Sequence, residues 1–281
     1  MKFSRLLLTG LLLFIVKTGF TQDPLKLIEK MFATEARISS LQLTMMMNER
    51  IDGEYKKKKS FFKIDYNPMK IYMKQEYPNK GLEVLYIEGQ NNNRAYISPK
   101  TFPWVTLSLN PLGKTMREDH HHPIFNSGYD YFINISKKLL EKHKHQINEV
   151  LSYKGIHKLE GINCHKIQYN SPDYKYFNYV VKKGETVNSI AHKFQVNEYM
   201  LIERNKGKID YESVNAGSTI SIPNEYAKKI IIYISAKNNL PYSIQAFDEQ
   251  GLFQEYFYTD VVLNPNFAQK DFDVENRAYN F

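Results

Sequence analysis

Cysteine is almost missing from this sequence, and that scarcity excludes several classes of site. Cys164 is the single cysteine among 281 residues, so neither an internal disulfide nor a zinc or iron–sulfur centre built from several cysteines can form. Thiol catalysis would depend on Cys164 alone. Its neighbour His165 would face the opposite side of a strand. We therefore expect Cys164 to be a small, buried, apolar residue.

Catalytic signatures are missing as well. The chain contains no nucleophile elbow, zinc-protease helix motif, phosphate loop or dinucleotide fingerprint. Glycine and proline number only 13 and 11, which argues against long low-complexity regions. We predict a protein that is not an enzyme and that needs no cofactor.

The most conspicuous polar cluster is the run from Asp119 to His122. In an extended segment only His120 and His122 share a side, so they are the two candidate metal ligands, and a third would have to come from elsewhere. Three interpretations stay open: a metal site, a hydrogen-bonded lock on the following helix, or an exposed loop without a ligand. The first interpretation, a metal site, is the one that a metal-dependent hydrolase of a cell-wall polymer would need.

Aromatic residues are plentiful, with 21 Tyr, 17 Phe and one Trp, and this excess favours β-rich structure. The formal net charge of +8 suits acidic surfaces such as anionic glycans or lipid headgroups, but no nucleic-acid-binding motif accompanies it, so we expect no nucleic-acid partner. The densest basic run, Lys56 to Lys59, follows the turn signal Asp52-Gly53. We interpret it as a solvated hairpin end.

The first 22 residues have the pattern of a secretory signal. Lys2 and Arg5 precede the apolar stretch Leu6 to Val16, which is too short to span a bilayer comfortably, and a small, polar exit follows. Residues 1–22 are therefore predicted to be removed. We expect secretion across the inner membrane, a periplasmic location and no transmembrane segment in the mature chain.

Hydrophobic periodicity predicts an α+β fold. Residues 25–39 and 124–144 have the helical period, whereas the intervening and later segments alternate with a period of two and are separated by turn signals. Consecutive strands of this kind form an antiparallel meander. Residues 178–223 break the rhythm with the order strand, helix, helix, strand, and Thr186 and Asn197 are good N-caps. This segment is predicted to be a small inserted domain.

The insert resembles a LysM module, the βααβ domain that recognises N-acetylglucosamine polymers such as peptidoglycan and chitin. The residues that carry the resemblance are Tyr179 to Thr186, Ser189 to Ala191, Phe194, Val196, Leu201, Asn205, Val214, Gly217 and Ile220 to Pro223. Glu185 replaces the usual aspartate, and Lys206 replaces proline after Asn205. The resemblance implies a glycan groove between two loops, formed by Gly184, Glu185, Thr186, Val187, Lys208, Ile209 and Asp210.

The flanking segments, 23–177 and 224–281, resemble the periplasmic lipoprotein carriers typified by LolA. That resemblance implies a curved antiparallel sheet, or half-barrel, covered by helices. Much of the chain is also similar to a secreted bacterial family of unknown function. Its motifs are Leu82 to Glu88, Pro111 to Gly113, Met116 to His122, Gly128 to Phe132, Gly161 to Cys164 and Asn280-Phe281.

These features predict a cell-envelope binding protein. The insert would attach it to peptidoglycan-type N-acetylglucosamine polymer, and the half-barrel would hold a lipid, a lipoprotein or a protein partner. The alternative for the half-barrel is an ordinary filled core without a ligand cavity. Alternation identifies the inner face of a sheet, but it does not show whether that face encloses space. The alternative for the whole protein is a structural envelope component whose insert does not bind glycan.

Overall fold

The computed structural model describes residues 22–102 and 104–281. The predicted signal segment lies outside this part of the chain except for its last residue. The first half begins with helix α1 and continues as a meander of six strands: α1 (Pro24–Glu35), β1 (Ser40–Ile51), β2 (Glu54–Tyr66), β3 (Met69–Tyr77), β4 (Glu83–Ile87), β5 (Ala95–Ser98) and β6 (Leu107–Leu109). All neighbouring strands of this meander pair antiparallel.

The second half alternates helices and strands. Its elements are α2 (Lys114–Arg117), α3 (Asp130–Lys142), α4 (Ile147–Val150), β7 (Leu151–Leu159), β8 (Ile162–Asn170), β9 (Tyr176–Val180), α5 (Val187–Phe194), α6 (Glu198–Arg204), β10 (Thr219–Pro223), β11 (Lys229–Ser235), β12 (Pro241–Asp248) and β13 (Gly251–Leu263). The short strands β9 and β10 form a sheet of their own. All other strands join the first meander.

The main sheet has eleven strands in the order β6-β5-β4-β3-β2-β1-β13-β12-β11-β8-β7. Strand β1 pairs antiparallel with both β2 and β13, so it joins the two halves of the chain. In the part of the chain described here, β6 and β7 each have a neighbour on one side only, and the sheet is therefore open. The predicted α+β class with a large antiparallel sheet, helices and a separate small sheet is confirmed.

Two helices cover one half of the inner face. Helix α1 begins at Pro24, where the missing N–H costs nothing, and Asp23 caps it. Its apolar stripe buries Leu27, Ile28 and Met31. Helix α3 buries a similar stripe that includes Phe132 and Leu139. These stripes correspond to the 3.6-residue periodicity of the apolar residues in the sequence. They pack on the inward side chains of the strands.

The outer face of the first meander is covered by the end of the chain. Tyr279 stacks on Tyr72 with ring centroids 3.9 Å apart. The buried carboxylate of Glu83 accepts hydrogen bonds from the backbone N–H of Asn280 at 2.9 Å and from its side-chain amide at 2.6 Å. Lys63 pairs with Asp271 at 2.5 Å. The last residues therefore pack on this side of the sheet.

The insert lies between β8 and β11, which pair with each other as expected. Thr186 caps α5 in a capping box with Ser189, and Asn197 caps α6. The core of the insert is small and apolar, and it consists of Val181, Val187, Ile190, Ala191, Val196, Leu201, Ile209, Ile220 and Ile222. Asn205 links α6 to β10 through hydrogen bonds with Leu201 and Ser221.

The interpretation of the lysine run as a solvated hairpin end is wrong for one residue. Lys56 to Lys59 lie within strand β2, near its start. Alternation places Lys58 on the same inward face as Ser60 and Phe62, and Lys58 is only 6% exposed. The run therefore supplies a buried ammonium group to the interior. Cys164, in contrast, is buried as predicted.

Candidate functional site

A cavity of about 360 Å³ lies against the inner face of β1 to β6 and β13. Its apolar wall comes from alternate residues of these strands, namely Met45, Met47, Phe62, Met73, Val84, Ile97, Leu107, Leu109, Tyr256 and Tyr258. Residues 113–128, which we name the cover segment, lie over most of this half of the sheet, and the first turn of α3 completes the cover with Tyr131 and Phe132.

The cover segment is fixed by hydrogen bonds to the insert. The buried guanidinium of Arg117 pairs with Glu198 at 2.8 Å and donates to the His121 carbonyl at 2.9 Å. The ring of Tyr211 lies 4.7 Å from the Arg117 guanidinium, and its hydroxyl donates to the His120 carbonyl at 3.1 Å. These contacts hold the cover segment in one position over the cavity, although most of the segment has no regular secondary structure.

The three adjacent histidines have three different environments. The His121 ring is fully buried, stacks on Phe253 and Tyr199 at 4.0 and 4.9 Å, and contacts the side chain of Gln254 and the Arg50 carbonyl through its two nitrogens. His122 lies 3.2 Å from both Gln254 and Tyr226. Burial lowers the pKa of His122 to about 3 and also lowers the pKa of His121. Both imidazoles are therefore neutral near pH 7.

The structure does not bring His120 and His122 together around a common point. The Nδ1 atom of His120 lies 4.0 Å from Glu49 Oε2, whereas His122 turns toward Gln254 and Tyr226. Among residues 22–102 and 104–281, no group of three or more His, Cys, Asp or Glu side chains is placed to hold a metal ion. The exposed-loop interpretation is wrong for His121, because its aromatic and polar partners bury it. In the described residues, the hydrogen bonds of the two histidines go to Arg50, Gln254, Tyr226 and Asn197 and not to the following helix, so the predicted lock on that helix is not confirmed.

A polar end closes the cavity on the side of the insert. Glu49 on β1 is 2% exposed and Lys58 on β2 is 6% exposed. Burial raises the pKa of Glu49, but the neighbouring His121 ring in its protonated form and the Lys58 ammonium outweigh burial and lower the pKa of this carboxyl to about 2. Burial lowers the pKa of Lys58. The cavity thus combines a long apolar wall with a buried acidic and a buried basic side chain, and two exposed acids, Glu118 and Asp119, lie at its rim.

The seven predicted groove residues lie in two loops of the insert, and they differ in accessibility. Gly184, Thr186, Lys208 and Asp210 are exposed. Val187 and Ile209 are buried in the core of the insert, so their side chains are not available to a ligand.

Two of the polar groove residues already have internal partners. Hydrogen bonds from the Lys182 N–H and the Tyr179 hydroxyl lower the pKa of Glu185 to about 2. Asp210 accepts from the backbone N–H groups of Glu212 and Ser213. These two loops therefore expose mainly backbone and the side chains of Thr186 and Lys208.

The insert is docked on the main sheet, which the sequence did not reveal. Arg50 of β1 binds Glu203 of α6 at 3.0 Å and also binds Asp248. The hydroxyl of Tyr199 accepts from the Asp52 N–H at 2.6 Å. A second apolar cluster between the two parts contains Ile51, Tyr199, Met200 and Phe253. The signal in the sequence was the excess of apolar residues at the start of α6, where Leu201 and Ile202 pack in the core of the insert but Tyr199 and Met200 do not.

Two family profiles match the chain. The profile of a protein of unknown function, DUF1571, matches residues 38–187, which is more than half of the sequence. The chain belongs to the DUF1571 family. The LysM domain profile matches residues 179–223, so the predicted LysM resemblance is confirmed. The DUF1571 match contains the whole cavity-lining part of the first meander and the cover segment, and it overlaps the start of the LysM match at residues 179–187.

Solved structures with similar folds are distant from this DUF1571 protein. One is the complex of Pseudomonas aeruginosa MucA and MucB, at 11% identity, with 88% of this chain and 59% of that chain covered and a TM-score of 0.39. Another is the Mycobacterium tuberculosis lipoprotein LppX, at 12% identity, 86% and 96% coverage and a TM-score of 0.40. A LolA superfamily protein from Nitrosomonas europaea aligns at 10% identity, 91% and 98% coverage and a TM-score of 0.31.

No curated protein sequence matches this DUF1571 chain. In its described residues, none of the helices is both long and apolar enough to cross a membrane. Because the similar structures are so distant, the function has to be inferred from this chain's own residues.

Proposed function

We propose that this DUF1571 protein is a non-enzymatic binding protein of the cell envelope with two ligands. The insert binds a polymer that contains N-acetylglucosamine, such as peptidoglycan, and the cavity of the half-barrel holds the apolar chain of a lipid or lipoprotein. The observation that carries the second part is the cavity itself. Its volume of about 360 Å³ lies in the range of ligand sites, about 300–1,000 Å³.

The composition of the cavity wall supports an apolar chain. Met45, Met47 and Met73 contribute thioether side chains, which adapt to ligands of variable shape. Burial of a ligand methylene in such surroundings contributes about 0.8 kcal/mol. A chain of about ten buried methylenes would therefore contribute about 8 kcal/mol, the equivalent of a micromolar Kd before the cost of association is subtracted.

The LysM match supports the glycan part. Exposed loop backbone of the kind found at Gly184 and Lys208 can hydrogen-bond N-acetyl amides. The docking of the insert on the cover segment favours a second candidate function, in which the insert is a structural support without a glycan ligand. Binding measurements separate the two.

The glycan arm of the test is a pull-down on insoluble peptidoglycan. K208E places a negative charge in the groove, and K237E makes the same change on the exposed β11–β12 turn. Thr186 and Ile209 are less suitable targets, because the first caps α5 and the second is buried. We expect wild type and K237E to bind and K208E to lose most binding. If peptidoglycan retains all three proteins equally, or retains none of them, the result contradicts the glycan proposal.

The cavity arm uses the uncharged fluorescent probe phenylnaphthylamine. V84F fills the cavity from β4, whereas V180F adds the same ring to an exposed position of the insert. We expect saturable probe binding by wild type and V180F and its loss in V84F. If V84F binds the probe as wild type does, the cavity is not the binding site.

A further inference from the structure

The polar end of the cavity has an unmet hydrogen-bonding requirement. Glu49 Oε1 accepts from the Tyr256 hydroxyl at 2.5 Å and from the backbone N–H of His121 at 3.3 Å. Glu49 Oε2 is equally buried but has no hydrogen-bond partner in the described part of the chain. A buried carboxylate oxygen without a donor is costly, because water no longer satisfies it.

The nearest cations do not meet that requirement. Lys58 Nζ lies 3.6 Å from Glu49 Oε2, which is beyond hydrogen-bond distance, and it donates to the Asp119 carbonyl. An ammonium group carries three donors, so Lys58 retains donors for a further acceptor. The His120 ring lies 4.0 Å from the same carboxylate oxygen. One spare acceptor and one spare donor therefore lie side by side.

The position of this pair within the cavity is fixed by strand alternation. Along β1, Met45 and Met47 precede Glu49 on the inward face, and along β2 Lys58 precedes Ser60 and Phe62. The register pairs Met47 with Lys58. An apolar chain that lies along the methionines would consequently place its head at Glu49 and Lys58.

The charges of the pair disfavour a charged head. A carboxylate would approach Lys58 but would be repelled by Glu49, and an amine would have the opposite conflict with Lys58. A hydroxyl group can donate to Glu49 and accept from Lys58 at once. Neither contact leaves a net charge buried in the cavity.

From this geometry we propose that the cavity selects a lipid with an uncharged, hydroxyl-bearing head, of the monoacylglycerol kind, whose hydroxyl donates to Glu49 Oε2 and accepts from Lys58 Nζ. This inference rests on the proposed apolar-chain site and adds the class of head group. It depends on two buried side chains: Glu49 has an acceptor oxygen without a donor, and Lys58 has donors left for a further acceptor.

The first test compares three ligands that share one chain length, monolauroylglycerol, laurate and dodecylammonium, each below its micelle concentration and measured by displacement of phenylnaphthylamine. We expect wild-type protein to bind monolauroylglycerol about tenfold more tightly than either charged ligand, the equivalent of one charge-assisted hydrogen bond. Equal affinities, or a preference for a charged ligand, overturn the head-group proposal and leave the cavity proposal standing. Failure of all three to bind overturns both.

The second test uses variants with one charge removed. E49Q removes the charged acceptor and keeps the shape, whereas E149Q makes the same change at an exposed acid of α4 outside the cavity. We expect E49Q to lose about tenfold in affinity for monolauroylglycerol and to gain affinity for laurate, because the repulsion disappears. E149Q should match wild type for both ligands. Unchanged selectivity in a folded E49Q protein contradicts the proposal.

Discussion

The two halves of the inner sheet face have similar apolar strands, but only one of them encloses space. Under α1 and α3, the side chains of Ile28, Leu139, Ile167 and Ile232 leave a gap of about 20 Å³. Under the cover segment, comparable strands border a cavity of about 360 Å³. A helix presents a regular apolar stripe that fills the grooves of a sheet. The cover segment, which is mostly irregular, does not.

The covers are also held in different ways. The helices are stabilised by apolar burial of their own stripes. The cover segment is held by buried polar contacts with the insert, above all the pair of Arg117 and Glu198. The insert therefore contributes to the shape of the cavity, whatever it binds at its own groove. The following predictions test this contrast between an apolar and a polar cover.

Removal of Arg117 should have the largest effect. R117M leaves the Glu198 carboxylate buried without its cation, and loss of one partner of a buried pair costs about 3–5 kcal/mol. Urea unfolding should show this loss, together with weaker binding of the cavity probe. The double variant R117M/E198M should recover most of the stability, since no buried charge is left unpaired. A fully stable R117M protein would contradict the polar-cover interpretation.

A matched pair of truncations compares the two halves directly. Ile232 on β11 and Ile97 on β5 are 5% and 7% exposed, and they face the packed half and the cavity respectively. I232A creates a new void and should lower the free energy of unfolding by about 4 kcal/mol, whereas I97A enlarges an existing one and should cost about 2 kcal/mol. Chemical denaturation of both variants provides the values. Equal costs would indicate that the cavity wall is as tightly packed as the helix-covered half.

The contrast also shows how far the sequence could be interpreted. The period of two in the sequence is the alternation of strand residues, and along β1 its apolar members Leu41, Leu43, Met45 and Met47 are all buried. Helical periodicity and the caps Thr186 and Asn197 identified the insert. Both signals are local, and each describes one element at a time.

The cavity and the docked insert could not be predicted in that way. Whether alternating residues enclose space depends on what covers them, and that is decided by long-range contacts such as Arg117 with Glu198. His121 illustrates the limit. Its neighbours in the sequence suggested an exposed loop, whereas its burial depends on Phe253 and Tyr199, which are distant in the sequence.

The smallest effect concerns pH and again separates the two covers. In the unfolded chain the pKa of His122 is near the ordinary 6.5, and in the folded protein burial lowers it to about 3. Between these values the unfolded state binds the extra proton, so stability is complete above about pH 6.5 and is lost as the pH falls toward about 3. From about pH 7.5 to about pH 5.5 the loss should be about 1 kcal/mol for this imidazole.

Urea unfolding at both pH values should show a smaller difference in stability for H122Q than for wild type. H145Q, altered at an exposed histidine, should retain the wild-type difference. An equal pH dependence in H122Q would mean that His122 does not titrate differently in the folded and unfolded protein, and the cover segment would then have to be less buried than the described contacts indicate.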